Sequence, residues 1–258
     1  MKLTRGVVIL GMIVCVSFLM QMSVRNAGAQ AAPTKLEKMP ESLEVRFALS
    51  AAPPHLRENA TAYVLDPSKG YVLSHKGTNG VSCIVVRSDW QFGDQAFRDD
   101  IAWAVCFDAE GSKTLMEDYF FAAEMRAKGM ESKKVHDELL KKFGTTAYPN
   151  PARTGIAYMI APVMRGFTNR PDPQTMNMPH YMFYAPNVKN SDIGGGGYGQ
   201  YPFMLRMSPG RDDYIILLVG ETEKEKIISE SKQLLDDLCA YKKYMCTTAE
   251  TRMRTPVN

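Results

Sequence analysis

The chain has 258 residues, enough for one large core or two small ones. Hydrophobic residues make up 45% and charged residues 23%, values of a folded protein rather than a disordered one. The formal charge of +3 rests on Lys2, Arg5 and Arg25, which lie in a segment expected to be removed; taking those three from 31 basic residues leaves 28 against 28 acidic ones. A balanced chain carries no electrostatic footprint for nucleic acid or anionic lipid, so neither is expected as a partner.

Lys2 and Arg5 form a basic start, residues 6–22 are an apolar run, and Ala27-Gly28-Ala29 offers small residues for a signal peptidase. Residues 1–29 therefore read as a signal peptide, cleaved after Ala29 or alternatively Ala31. The competing reading is an uncleaved anchor, since the run is just long enough to span. No later run approaches membrane length, so no membrane contact is expected after cleavage, and the expected location is secreted or periplasmic. An oxidising compartment then governs Cys83, Cys106, Cys239 and Cys246, where two disulfides are the default and three pairings are open. Cys83–Cys106 and Cys239–Cys246 are favoured. The second pair requires a helix end between its members, because seven residues of unbroken helix span roughly 10 Å, beyond disulfide reach. No C-x-x-C spacing supports zinc.

In chain order, residues 30–40 read as a flexible leader, and 41–51 as a short helix with Leu43, Val45 and Phe47 inward, stopped by Pro53-Pro54. Runs at 61–65, 71–74 and 82–87 read as a β-meander whose turns are 66–70 and 77–80, the latter ending in Asn79-Gly80. The stretch between Arg87 and Cys106 holds Asp89, Trp90, Phe92, Asp94, Asp99, Asp100 and Trp103. It reads as a solvated acidic loop, with an acid–base pair or cation site as the alternative. Residues 112–128 and 132–143 read as helices, stopped by Gly129 and Gly144. Ser132 is the expected cap of the second, Asp137–Lys141 and Glu138–Lys142 its expected surface pairs, and His136 is expected to face solvent. A second β region follows at 155–161, 181–185, 203–207 and 214–219, apolar enough for the middle of a sheet covered on both faces. The connection 165–178 reads as a polar surface loop able to rim a pocket. A long helix from 223 towards 244, capped by Thr222 with Glu225, should lie across the sheet, and residues 247–258 read as a disordered tail.

The most chemically suggestive stretch runs from Met176 to Pro186. Read as one strand, its alternation puts Met176, Met178, His180, Met182 and Tyr184 on one face. Thioethers with an imidazole suit copper(I), which gives His180, Met178 and Met182 as candidate metal ligands; the bland alternative is core methionine beside a backbone-bonded histidine. Gly194, Gly196 and Gly199 satisfy G-x-G-x-x-G but lead into a strand instead of a helix, so a dinucleotide site is not expected. No nucleophile elbow, H-E-x-x-H or P-loop occurs.

Several blocks, in order, resemble a family of uncharacterised exported bacterial proteins: Ala48 to His55, Lys76 to Gly80 with Cys83, Val105 to Gly111, Gly155 to Met159, Pro179 to Pro186, and Asp192 to Gly195. The resemblance covers about residues 48–220 and implies one secreted or periplasmic domain, with no mechanism attached. The helix after Gly220, with Cys239 and Cys246, departs from that pattern.

The expected fold is α+β: a mainly antiparallel sheet with helices packed on it, in a single disulfide-stabilised domain over 41–246. The expected function is non-enzymatic binding of a small ligand, with His180, Tyr184 and Tyr158 as candidate ligand-binding residues beside the 165–178 and glycine loops. The alternatives are a hydrolase using His180 as general base with a carboxylate from the 94–108 region, and a copper ion held by the Met/His row.

Overall fold

The computed structural model describes residues 36–91, 96–143, 145–167, 172–195, 203–206 and 213–248. The expected signal peptide, the first part of the leader, Gly196, Gly199 and most of the expected tail lie outside them. At the centre are β3 (Ser82–Val86) and β4 (Trp103–Phe107), antiparallel and buried at every position. Two apolar faces explain that burial. Cys83, Val85, Ala104 and Cys106 point into one core, and Ile84, Val86, Trp103, Val105 and Phe107 into another. The Cys83–Cys106 disulfide joins residues directly opposite each other in this ladder.

Around them an eight-stranded sheet runs in the order β2-β1-β3-β4-β5-β8-β10-β9. Its other strands are β1 (Thr61–Asp66), β2 (Gly70–His75), β5 (Ile156–Met159), β8 (His180–Tyr184), β9 (Phe203–Arg206) and β10 (Asp213–Leu218). Every pair is antiparallel except β1–β3, which is parallel, so the expected meander is wrong in its last step. The reason lies at Asn59. Its carbonyl accepts the Thr78 and Asn79 amides at 2.8 and 3.1 Å, and a Cβ on Gly77 would sit 2.1 Å from that oxygen. The chain leaving β2 is thus tied to the start of β1 and re-enters on its far side, running the same way.

On the Cys83 face lie α1 (Glu41–Ser50) and α6 (Lys232–Tyr241), with Phe47, Leu234, Leu235 and Leu238 in the shared core. On the other face lies α3 (Met116–Ala127), contributing Met116 and Tyr119, and α4 (Ser132–Lys142) packs against α3. A short α2 (Pro54–Arg57) follows α1, with Pro54 at its first turn. The α+β class, the mainly antiparallel sheet and both disulfide pairs stand as expected. Among the described residues, no helix is long and apolar enough to cross a membrane.

Several local expectations are corrected. The leader ends earlier, because Leu36 and Met39 are buried, the latter at 1% exposure against the α1 core. The stretch after Arg87 is no solvated loop at either end: Trp90 is fully buried among Ala122, Val135 and Leu139, and Trp103 begins the buried strand β4. His136 turns inward to the Trp90 carbonyl at 3.2 Å. On α4 the cap position is Glu131, and the ion pairs are Lys133–Asp137 and Lys141–Glu138, while Lys142 sits 3.8 Å above the Phe121 ring centroid. The 165–178 connection contains a two-stranded hairpin, β6 (Met164–Gly166) with β7 (Gln174–Met176). The last helix is two, α5 (Glu221–Glu230), capped at Gly220, and α6, joined at Ser231, whose amide is shared between the Ile227 and Ile228 carbonyls. Because α6 ends at Tyr241, Cys239 and Cys246 can close their disulfide.

In the chain-entropy picture, the ring closed by Cys83–Cys106 contributes about 3 kcal/mol and the smaller Cys239–Cys246 ring about 2 kcal/mol. The first pair is also fully buried, so its loss removes packing as well. Replacing Cys83 and Cys106 together by Ala should lower unfolding free energy by more than replacing Cys239 and Cys246, as measured by urea titration.

Glu44 on α1 is fully buried; its Oε1 accepts the Leu65 amide at 2.8 Å and its Oε2 has no hydrogen-bond partner among the described residues. Burial raises its pKa from 4.5 to about 7, against the opposing Leu65 bond and the Arg87 charge. The native state therefore favours the protonated acid. Its stabilisation is complete below pH 4.5 and is lost as pH rises through about 7. Across that window the wild type should lose roughly 3 kcal/mol relative to Glu44→Gln, read from denaturant midpoints at each pH.

Candidate functional site

The residues singled out by sequence lie on β5 and β8, which pair with Tyr158 opposite Tyr181 and Met159 opposite His180. That register separates them. His180, Met182 and Tyr184 point to the α3 side, where Met182 and Tyr184 join the core, while Tyr158 packs against the α1 side. His180, Tyr184 and Tyr158 are therefore not brought together in one pocket. The five-residue Met/His row is also broken, because Met176 belongs to β7, opposite Met164, and β8 begins only at His180.

Tyr184 is held from several directions. Its hydroxyl donates to the Ile156 carbonyl at 2.8 Å and lies 3.2 Å from Asp108 Oδ1. Asp108 also accepts the Glu110, Gly111 and Ile156 amides. Burial first, then the Asp108 charge, push the phenol well above its ordinary range. Glycine is required on both sides: a Cβ on Gly111 would lie 2.1 Å from the Tyr184 hydroxyl, and one on Gly155 2.4 Å from Asp108 Oδ2. This cluster locks the β4–β5–β8 end of the sheet.

His180 is 3% exposed, and its Nδ1 lies 2.7 Å from the Met178 carbonyl. A carbonyl only accepts, so Nδ1 carries the proton. Burial lowers the ring's pKa, opposed by the Met178 bond. Two of the carboxylates proposed as its catalytic partners are engaged elsewhere. Asp108 serves Tyr184, and Asp100 receives Arg98 at 2.6 Å and Arg165 at 2.7 Å. Burial pulls Asp100 upward, but the two arginines outweigh it and hold it at about 2. Asp94 lies outside the described residues. Among those residues, no group of three His, Cys, Asp or Glu side chains could hold a metal ion; His180 and Met182 sit two apart on one face, and Met178 precedes the strand.

The opposite face of the same strands is different. Ile156 and Tyr158 on β5, Tyr181 and Phe183 on β8, and Ile215 and Leu217 on β10 align across the ladder. The first five are half-buried and Leu217 is 54% exposed. Tyr158 and Tyr181 meet edge to face, with centroids 6.1 Å apart. Neither hydroxyl has a hydrogen-bond partner among the described residues. The apolar runs at 155–161, 181–185 and 214–219 were expected to be covered on both faces, and this half-buried face corrects that, because a continuous apolar run hides which of its residues are covered.

Sequence reasoning also missed an arginine hub. Arg165 Nη1 donates to Thr175 Oγ1 at 3.2 Å, and its guanidinium carbon lies 5.3 Å from the Tyr244 ring centroid. Tyr244 donates its hydroxyl to the Asp99 carbonyl at 3.0 Å, and its own carbonyl accepts Thr175 Oγ1. No motif marks such a set, because its members are far apart in the chain.

No family model, curated protein or solved structure matches this chain.

Burial lowers the His180 pKa, so at pH 6.5 its ring should be less protonated than an ordinary imidazole. Proton–nitrogen NMR of the ring nitrogens should show the Nδ1–H tautomer for the neutral form and a titration midpoint on the acid side of a free imidazole's.

Proposed function

We propose that the chain is an exported, non-enzymatic binding protein, secreted or periplasmic, that holds a small apolar or aromatic ligand on the face formed by β5, β8 and β10. The observation that carries this reading is the alignment of Ile156, Tyr158, Tyr181, Phe183, Ile215 and Leu217 across three adjacent strands. Apolar side chains gathered at a surface mark interaction sites more often than scattered ones do. The two tyrosine hydroxyls supply the few polar anchors that orient a mostly apolar ligand. Two disulfides support the oxidising compartment. His180 is buried on the other side of the sheet and takes no part in this face.

The neutral fluorophore N-phenyl-1-naphthylamine is a suitable probe. Its fluorescence should rise saturably with wild-type protein and weaken by about tenfold in Tyr181→Ala, an energy typical of one lost aromatic contact. Leu73→Ser, which alters an exposed leucine on the distant β2, should leave binding unchanged. Equal binding by wild type and Tyr181→Ala would remove this face from consideration.

A further inference from the structure

Residues 36–40 form a strap that leads into α1. Leu36 packs with Leu65 of β1, Tyr71 of β2 and Ala123 of α3, and Met39 is buried in the α1 core. Between them the Glu37 carbonyl accepts Arg87 Nη1 at 2.7 Å, the Glu37 carboxylate pairs with Lys242, and Lys38 is exposed. The Pro40 carbonyl then accepts the Leu43 and Glu44 amides at 3.0 Å, which starts the helix.

Glu44 lies where strap and helix meet. One carboxyl oxygen has a single donor, the amide of the same Leu65 that Leu36 covers, and the other has none among the described residues. A buried carboxyl so poorly supplied with donors favours its neutral form. The charges around it do not reverse this. Burial outweighs the pull of Arg87 and of Lys38 on the strap, and Glu41 on α1 works with burial. Tyr71 keeps its hydroxyl on the Val85 carbonyl, with burial pushing the phenol up, and Asp66 of β1 accepts from Ser68. From α3, Arg126 is spent on the Arg87 and Arg98 carbonyls. From α6, Asp237 pairs with Arg46, and α2 places Arg57 on the Ser50 and Ala52 carbonyls at the far end of α1.

An ionised Glu44 needs water, and the strap is the cover that costs least to move. The helix itself is fixed by Phe47 and Ala48, both fully buried against β3 and β4. The strap hangs by two apolar side chains and the two contacts at Glu37.

We propose that residues 36–40 are a pH-operated clasp: with Glu44 neutral the strap is closed over Leu65, Tyr71 and Ala123, and ionisation of Glu44 lifts it and uncovers that apolar patch. In the lifted state the carboxyl is solvated and titrates near its ordinary 4.5, whereas the closed state holds the proton up to about 7. Opening therefore grows about tenfold per pH unit between those values and levels off above them. The clasp is tight in acidic surroundings and loosest at neutral pH and above. It works whether or not the β5–β8–β10 face binds a ligand.

Trypsin cleavage after Lys38 in the purified protein tests this. Rates at pH 6 and pH 8 are each divided by the rate for Glu44→Gln at the same pH, which cancels the protease's own pH response; the Gln carbonyl can still accept the Leu65 amide. The ratio should rise about tenfold from pH 6 to pH 8. Leu36→Ala should speed cleavage by a similar factor at both values and keep the pH response. In hydrogen exchange the Leu65 amide should follow the same ratio, with the amides of β3 and β4 exchanging at least about tenfold more slowly. A ratio that does not change with pH, or Leu65 exchange no faster than that of β3 and β4, would overturn the proposal. If Glu44→Gln does not fold, NMR of the wild type decides: the Glu44 carboxyl and the Leu36 methyl signals should titrate over one pH range, and separate ranges would overturn it.

Discussion

Everything in this fold leans on the β3–β4 ladder. Each of its ten residues is buried, and alternate side chains supply two different cores. One crosslink, Cys83–Cys106, spans the ladder at facing positions and fixes its register. A shift of one residue would exchange the two sets of side chains between the α1 and α3 sides, so the register decides which helices the sheet can accept. The crosslink makes that exchange impossible without breaking a covalent bond.

The same two-faced logic reorganises the chemistry of β5 and β8. A strand read in isolation groups His180 with its alternate neighbours, and that much is retained: His180, Met182 and Tyr184 do share a side. What alternation cannot give is depth of cover. The histidine side is closed by α3, while the tyrosine side runs out beyond the reach of the α1–α6 core and stays partly open. His180, Met182 and Tyr184 were thus the enclosed ones, and Tyr158 with the plainer Tyr181, Phe183 and Leu217 are those left to meet something else.

Legibility followed the range of the forces involved. Seven of the ten strands, the helix stops at Gly129 and after Ser50, and both disulfide pairs were readable, because each depends on residues close in sequence or on a small set of possible partners; β4, β6 and β7 lay in stretches read as loops. The parallel β1–β3 pairing was not, since it hangs on the Asn59 carbonyl gathering amides from a turn many residues later. Glu44 and Arg87 gave no signal either. A charged residue in sequence reads as surface, and only packing shows that both are enclosed. The Arg165–Asp100 pairing was hidden for the same reason, as its two members are brought together by the bridge between Ala102 and Arg165.

The end of the chain returns to its beginning. Asp237 meets Arg46, Lys242 meets Glu37, and Tyr244 reaches Thr175 and Asp99. The α1 helix therefore shares its core with an element made more than a hundred residues after the central ladder. During synthesis that apolar surface stays uncovered until α6 is made, and such a delay leaves the chain open to aggregation and to chaperones.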